Sequence, residues 1–219
     1  MLNMAQKGKA AKRREEKKQN RQMYWILGIM ASVIVLLILI SWMADRNTKF
    51  TYQGLTFTKE RYGDIPVFHY YYNFEYLGQK YKYNLYLRED PRKNSVPVSG
   101  EIGYDRNLIN FISVNATGLD KCNDSSMAIY SLDKFLLDNQ FQIKSATPDY
   151  REINRTKVPF ASCDSIPPEG QVIVIQEGNE TKIEKINDKC YVISSANCEI
   201  LKAVEKFEVQ SVLDAKERA

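Results

Sequence analysis

The longest apolar run of the chain lies near its N-terminus. Residues 24–42 read YWILGIMASVIVLLILISW and contain neither a charged residue nor a proline. A helix over this run is about 30 Å long, which matches the hydrocarbon core of a bilayer. Tyr24, Trp25 and Trp42 stand at its two ends, where membrane helices carry their interfacial aromatic residues. The pattern therefore predicts a transmembrane helix over residues 23–43.

Beyond this run, apolar and polar positions mostly alternate, as they do in β-strands. We expect strands at 50–52, 55–58, 66–76, 80–87, 108–114, 141–145, 158–163, 171–176, 181–186 and 190–194. Two segments, 125–139 and 197–216, instead repeat their apolar residues at helical spacing. Because strands and helices do not alternate regularly, the sequence predicts an α+β domain with a mostly antiparallel sheet and about two packed helices.

Charge is distributed unevenly along the 219 residues, whose net charge is +4. Residues 1–22 hold 8 basic and 2 acidic side chains and carry +6, whereas the remaining residues hold 23 basic and 25 acidic side chains and carry −2. Positive charge flanking a membrane helix marks the cytoplasmic side. We therefore predict a basic cytoplasmic tail (1–22), a signal-anchor helix (23–43), a short stalk (44–49) and an extracytoplasmic domain (50–219).

Two alternatives concern this N-terminal region. A cleaved signal peptide would have a shorter apolar run and a small residue at the third position before the cleavage site, but cleavage after Ala44 would place Trp42 there. A nucleic-acid-binding tail would carry aromatic residues among its basic ones, and this tail has none. We expect the tail to contact anionic lipid headgroups and no specific nucleic acid.

The cysteines and the glycosylation sequons all lie after the apolar run. Four cysteines in an oxidising compartment suggest two disulfides, for which three connectivities exist. We predict Cys190–Cys198, because a strand followed by a helix brings these two residues together, and Cys122–Cys163 follows by elimination. The candidate glycosylation sites are Asn115, Asn123, Asn154 and Asn179.

Aromatic residues are concentrated on the two strands of one predicted hairpin. With the period of two that strands impose, Phe68, Tyr70, Tyr72, Phe74 and Tyr76 share one face, as do Tyr81 and Tyr83 on the next strand. Such a face either packs into the core through cross-strand pairs or stacks on a ligand such as a sugar. For ligand stacking the candidate residues are Tyr70, Tyr72 and Tyr83, which would have to be exposed and coplanar.

Catalytic and metal-binding patterns are weak in this sequence. His69 is the single histidine and falls on the face opposite the aromatic residues, so no histidine-rich metal site can form. Ser131 and Lys134 match the S-x-x-K pattern of penicillin-binding enzymes, but the S-D-N and K-T-G motifs that accompany it are absent. We predict no catalytic residues, metal ligands or cofactor.

Three stretches carry a resemblance to other proteins: LYLREDPRK (85–93), QEGNETKI (176–183) and NCEILKAVEKF (197–207). Placed behind a basic tail and one apolar helix, they resemble a group of short single-pass membrane proteins predicted from the genomes of small, uncultivated archaea. The resemblance implies a membrane-anchored outside domain with cysteines. It implies no activity and assigns no residue a role.

These observations favour a membrane-anchored, non-enzymatic domain that acts in structure or binding at the cell surface. It would contact the bilayer and other membrane or cell-surface proteins, for example as an accessory subunit of a membrane assembly. A surface hydrolase with an unrecognised active site is the alternative from the enzyme class, and a glycan-binding module using the tyrosine-rich face is the third hypothesis.

Overall fold

A computed structural model describes residues 23–42 and 48–218 of the chain, which divides into two compact units, Met1–Phe50 and Thr51–Ala219. In the first unit Met23–Trp42 forms a 20-residue helix, α1, with a mean hydropathy of 2.7 and exposed side chains throughout. This helix has the length and composition of a membrane anchor or a signal sequence. The predicted tail 1–22, and residues 43–47 with most of the predicted stalk, lie outside the described residues.

Within the described residues, the elements after α1 form two sheets and three further α-helices. The strands are β1 (Lys49–Tyr52), β2 (Leu55–Tyr62), β3 (Ile65–Tyr76), β4 (Gln79–Leu87), β5 (Val98–Ser99), β6 (Ile109–Val114), β7 (Gln142–Ala146), β8 (Gly170–Glu177), β9 (Lys182–Asn187) and β10 (Cys190–Ser195). The helices are α2 (Ser125–Asp138), α3 (Tyr150–Thr156) and α4 (Ile200–Glu217). The predicted α+β class is confirmed.

The two sheets differ in the direction of their strands. The first is an antiparallel sheet in the order β1-β2-β3-β4, in which Tyr72 of β3 lies opposite Tyr83 of β4. The second has six strands in the order β5-β9-β10-β8-β6-β7, and among its neighbouring pairs only β9 and β10 run antiparallel. The expectation of a mostly antiparallel sheet is therefore wrong for the larger sheet.

Helices α2 and α4 lie between the two sheets. They pack against each other, α4 contacts β9 and β10, and α2 contacts β7. On the other side, Tyr83 of the first sheet meets Phe135 of α2 edge to face, with ring centroids 5.6 Å apart. The buried residues of α4 include Val204 and Phe207, which lie in the centre of this layer. The helices thus bury apolar surface on two sides, which explains why α4 is buried over most of its circumference.

The opposite face of the six-stranded sheet is covered by the segment that follows α3. A small core there contains Phe111, Ala161, Val172 and Val174, and Cys163 packs against it. In this segment the predicted strand 158–163 is wrong: apart from the single bridges Thr147–Phe160 and Ser162–Ser165, it does not pair with a strand. Pro159 lacks an N–H group for a ladder, and a disulfide from Cys163 holds the segment instead.

Both predicted disulfide pairings are wrong, although all four cysteines form disulfides. Cys122 pairs with Cys198, and Cys163 pairs with Cys190. The first disulfide joins the residues just before α2 and α4, which fixes the starts of the two central helices. The second joins the covering segment to β10. Cys190 is fully buried at the start of its strand, whereas Cys198 is exposed at the start of α4, so these two side chains serve different parts of the fold.

Candidate ligand-binding pocket

A cavity of about 480 Å³ opens between β3, the C-terminal ends of α2 and α4, and the loop before β6. Its volume is within the range of small-molecule sites, about 300–1,000 Å³. The aromatic residues that line it are Tyr70, Tyr72, Phe74, Tyr104, Phe135 and Phe141. The cationic residues that line it are Arg106, Lys216 and Arg218. We call this cavity the aromatic pocket.

The β3 wall of the pocket follows directly from strand periodicity. Tyr70, Tyr72 and Phe74 are two residues apart and therefore point to the same face, with successive ring centroids 5.9 and 6.1 Å apart. Tyr72 and Tyr83 pair across the strands at 5.5 Å, and their planes are inclined by 55°. The aromatic face predicted for β3 thus forms, and it turns toward the helices.

The predicted stacking residues separate into two groups. Tyr70 and Tyr72 line the pocket and are half-buried, but Tyr83 lies behind them, with 6% of its surface exposed. A ligand in the pocket can reach the first two rings and not the third. The expectation that Tyr70, Tyr72 and Tyr83 form an exposed, coplanar platform is therefore wrong, because Tyr83 packs against Phe135 in the core.

Several polar groups on the floor of the pocket are hydrogen-bonded to other residues of the protein. The Tyr72 hydroxyl donates to Asn139 Oδ1 at 2.6 Å, and Asn139 Nδ2 donates to the Phe135 carbonyl at 2.8 Å. The Tyr104 hydroxyl is 3.0 Å from Ser211 Oγ, which donates to the Phe207 carbonyl at 2.7 Å. Burial raises the pKa of both tyrosines above the usual value, so the hydroxyls stay protonated and neutral.

Arg106 is the most enclosed of the three cations. Its guanidinium carbon lies 4.6 Å from the ring centroid of Phe141 and 4.8 Å from that of Tyr76, within the range of cation–π attraction. Its Nη1 donates to the Asn139 carbonyl at 2.8 Å, which caps the end of α2. In contrast, Arg218 is paired with Glu101, and Lys216 donates to the Gly54 carbonyl at 3.0 Å.

Two glutamic acids are buried in α4 behind the pocket. Glu208 is fully buried, accepts a 2.7 Å hydrogen bond from Ser131 Oγ, and has no partner for Oε2 among the described residues. Desolvation raises the pKa of Glu208 to about 8. Desolvation also raises the pKa of Glu205 to about 7, although its carboxylate accepts from the backbone N–H groups of Arg88 and Glu89 at 2.7 and 2.9 Å.

The other sequence candidates lie outside the pocket. His69 occupies the opposite face of the first sheet, where it hydrogen-bonds Glu60 and Asn84 and stacks on Tyr86. Ser131 bonds to Glu208, whereas Lys134 pairs with Asp138, so the S-x-x-K match has an ordinary structural explanation. The described residues contain no group of three or more His, Cys, Asp or Glu that could hold a metal ion.

The candidate glycosylation sites differ in exposure. Asn123, Asn154 and Asn179 are exposed, and Asn115 is half-buried, where its Oδ1 accepts from the N–H of Thr117 at 3.2 Å. Exposure makes the first three accessible to a modifying enzyme. Use of any of these sequons stays a prediction.

Sequence reasoning missed the residues that complete the pocket. Tyr104 and Arg106 lie in a loop, which has no hydrophobic period to reveal which way a side chain points. Asn139 is the C-cap of α2, and Ser211 is a polar residue in a buried helix face. Only the aromatic period of β3 could have indicated one wall.

Comparisons of the chain with protein-family models, with curated proteins and with solved structures find no match. The pocket and the apolar helix α1 are therefore the features of the chain that bear on its function.

Proposed function

We propose that the protein is a membrane-anchored binding domain whose ligand occupies the aromatic pocket. In this proposal α1 stays in the chain as an uncleaved anchor, residues 1–22 lie in the cytoplasm, and residues 50–219 lie outside it. The observation that carries the proposal is the cavity of about 480 Å³ with aromatic walls and a basic rim. Membership of the archaeal group that the motifs resemble stays a prediction.

Three features support the membrane part of the proposal. Helix α1 is long and apolar enough to cross a bilayer, and the basic excess of the sequence precedes it. The four cysteines form two disulfides, which persist mainly in oxidising compartments. A cytoplasmic location of the domain would expose both disulfides to reducing conditions.

The pocket favours binding over catalysis as its role. Among the residues that line it, the described side chains include no acid, histidine or cysteine that could act as a general base or nucleophile. The hydroxyl groups of Tyr72, Tyr104 and Ser211 are hydrogen-bonded within the protein, and among the described residues no general base contacts Ser211. Tyrosine and arginine are also enriched among the residues that contribute most of the binding energy at protein interfaces.

Topology is tested with tags at both ends of the full chain in sealed, right-side-out vesicles. The proposal expects added protease to remove the C-terminal tag and to leave the N-terminal tag intact. It also expects the isolated chain to keep its full length. An accessible N-terminal tag, or a mature chain that begins after residue 44, would contradict the membrane part.

Ligand occupancy is tested by filling the pocket. Ala215 is an exposed lining residue on α4, so Ala215→Trp places a large ring at the opening without removing a buried group. Leu137→Trp, at an exposed position of α2 that does not line the pocket, is the matched control. Small molecules that co-purify with the full chain are released by denaturation and measured by mass spectrometry.

We expect one or a few compounds to be retained by the wild type and by Leu137→Trp, and to be lost from Ala215→Trp. The same compounds recovered from all three proteins, or none recovered from the wild type after incubation with an extract of host metabolites, would contradict the binding role.

A further inference from the structure

We infer that the ligand of the aromatic pocket is an aromatic anion: a flat ring system that lies among the pocket's aromatic side chains and carries an anionic group bound by Arg106. This inference rests on the proposed function, since it names the chemical class of the ligand for the same pocket.

The flat aromatic part follows from the state of the pocket's polar groups. The hydroxyls of Tyr72 and Tyr104 and the side chain of Asn139 already bond to protein partners. They therefore present ring surface to a ligand and offer few hydrogen bonds. A sugar would leave many of its hydroxyls unpaired here, at a substantial desolvation cost. An aromatic ring instead gains both apolar burial and ring–ring contacts.

The anionic part follows from Arg106. A guanidinium has five N–H donors, and within the described part of the chain only Nη1 of Arg106 donates, to the Asn139 carbonyl. Its neighbours are rings, at 4.6 Å for Phe141 and 4.8 Å for Tyr76, and no carboxylate pairs with it among the described residues. The remaining donors match the forked geometry that binds carboxylate or phosphate oxygens.

The charge around the opening favours the same ligand. Lys216 and Arg218 line the pocket in addition to Arg106, and no acidic residue is among the described lining residues. Glu101 neutralises Arg218, whereas the ammonium of Lys216 donates to the Gly54 carbonyl and keeps its charge. Two uncompensated positive charges therefore face a ligand, which favours an anion over a neutral or cationic molecule.

A purely structural role for Arg106 would need only its bond to the end of α2. Two substitutions separate this role from ligand binding. Arg106→Lys keeps the positive charge near the pocket, and Arg106→Gln removes it while keeping a polar donor. Arg61→Gln removes one positive charge at an exposed position of β2 outside the pocket, and serves as the matched control.

The experiment measures the affinities of three probes for the full chain in lipid nanodiscs by calorimetry, with empty nanodiscs as the reference. The probes are 2-naphthylacetate, which is aromatic and anionic, 2-naphthaleneethanol, which is aromatic and neutral, and decanoate, which is aliphatic and anionic. We expect 2-naphthylacetate to bind at least about tenfold more tightly than the alcohol, because a charge-assisted hydrogen bond is gained. We expect it to bind at least about threefold more tightly than decanoate, because ring contacts are gained.

Substitution of Arg106 should then act only on the anions. Arg106→Gln should weaken 2-naphthylacetate binding at least about tenfold and change alcohol binding less than about threefold. Arg106→Lys should retain part of the preference, and Arg61→Gln should retain all of it. Far-UV circular dichroism checks that each variant is folded. If Arg106→Gln does not fold, the comparison of the three probes on the wild type still tests the inference.

Equal affinities for the acid and the alcohol, or decanoate binding as tightly as 2-naphthylacetate, would overturn the aromatic-anion inference. If the probe affinities overturn the ligand class in this way while Ala215→Trp abolishes probe binding, the pocket remains the binding site and only the ligand class is wrong. Binding that survives Ala215→Trp places the probes elsewhere and overturns both proposals, as does a wild type that binds none of them.

Discussion

Replacing Glu208 by glutamine removes a carboxyl group that the fold keeps away from water. Glu208 is fully buried on α4, accepts one hydrogen bond from Ser131, and has a pKa raised to about 8 against 4.5 for a free carboxyl. The folded protein therefore holds this proton over a pH range in which the unfolded chain has already released it. Linkage then makes stability depend on pH.

The sign follows from proton counts. Between pH 4.5 and about 8 the folded state binds one more proton at Glu208 than the unfolded state, so the free energy of unfolding falls as the pH rises. Each pH unit in this window is equivalent to about 1.4 kcal/mol for one group. Allowing for partial titration at both limits, Glu208 lowers the stability by about 3.5 kcal/mol between pH 5 and pH 8.

Urea unfolding of the full chain in detergent, followed by tyrosine circular dichroism between pH 5 and pH 9, measures this effect. Both tryptophans lie in α1, so tyrosine signals report mainly on the folded domain. Glu208→Gln should flatten the decline of stability with pH, and Glu217→Gln, at an exposed position of the same helix, should leave it unchanged. The readout is the slope of the unfolding free energy against pH. The new amide adds a cost of about 1–3 kcal/mol that does not depend on pH, so it shifts the absolute stability and leaves the slope unaffected. An unchanged slope in Glu208→Gln would refute the reasoning.

Further predictions concern the disulfides and the second buried glutamic acid, Glu205. Peptide mapping without reduction should find Cys122 joined to Cys198 and Cys163 joined to Cys190, and a Cys190–Cys198 peptide would contradict the fold. Serine replacement of Cys122 and Cys198, which close a loop of 76 residues, should lower the free energy of unfolding by about 4.5 kcal/mol. Serine replacement of Cys163 and Cys190, which close 27 residues, should lower it by about 3.5 kcal/mol. Urea unfolding measures both losses, and the reverse order would argue against the loop-length explanation. Glu205→Ala leaves two backbone N–H groups without their acceptor, and it should lower the free energy of unfolding by about 2–5 kcal/mol. A loss below about 1 kcal/mol in urea unfolding would show that water replaces the carboxylate.

The elements that could be predicted are those with a strong local period. Helix α1, the hairpin of β3 and β4, and the helices α2 and α4 all carry continuous apolar runs, alternation or helical spacing. The face shared by Tyr70, Tyr72 and Phe74 also follows from the period of two. These features need only neighbouring residues, which the sequence supplies directly.

Strand direction could not be predicted in the same way, although one signal was present. Residues 172–175 of β8 read VIVI and are all buried, which is typical of a parallel strand covered on both faces. An alternating pattern would have favoured an antiparallel strand with one wet face. Helix α3 was missed because it has no buried residue and therefore no apolar stripe.

The disulfide pairing and the pocket depend on contacts between residues that are distant in sequence. Cys122 meets Cys198 across 76 residues because α2 and α4 pack side by side, and no local pattern records that packing. Likewise, Arg106 reaches the end of α2 from a loop. Sequence spacing favoured the nearby Cys190 and Cys198, and the fold places these two cysteines in different pairs.

The central claim is that the aromatic pocket binds the ligand, and hydrogen–deuterium exchange of the full chain with and without 2-naphthylacetate tests it most directly. The open groove on the other face of the first sheet, lined by Tyr62, Ile65 and Tyr86 among others, has a similar volume of about 480 Å³ and is the natural competitor. We predict slower exchange in residues 70–74, 104–106 and 211–218, which surround the pocket, and no change in residues 62–65. Slower exchange around Tyr62 and Tyr86, without change in the pocket segments, would contradict the account.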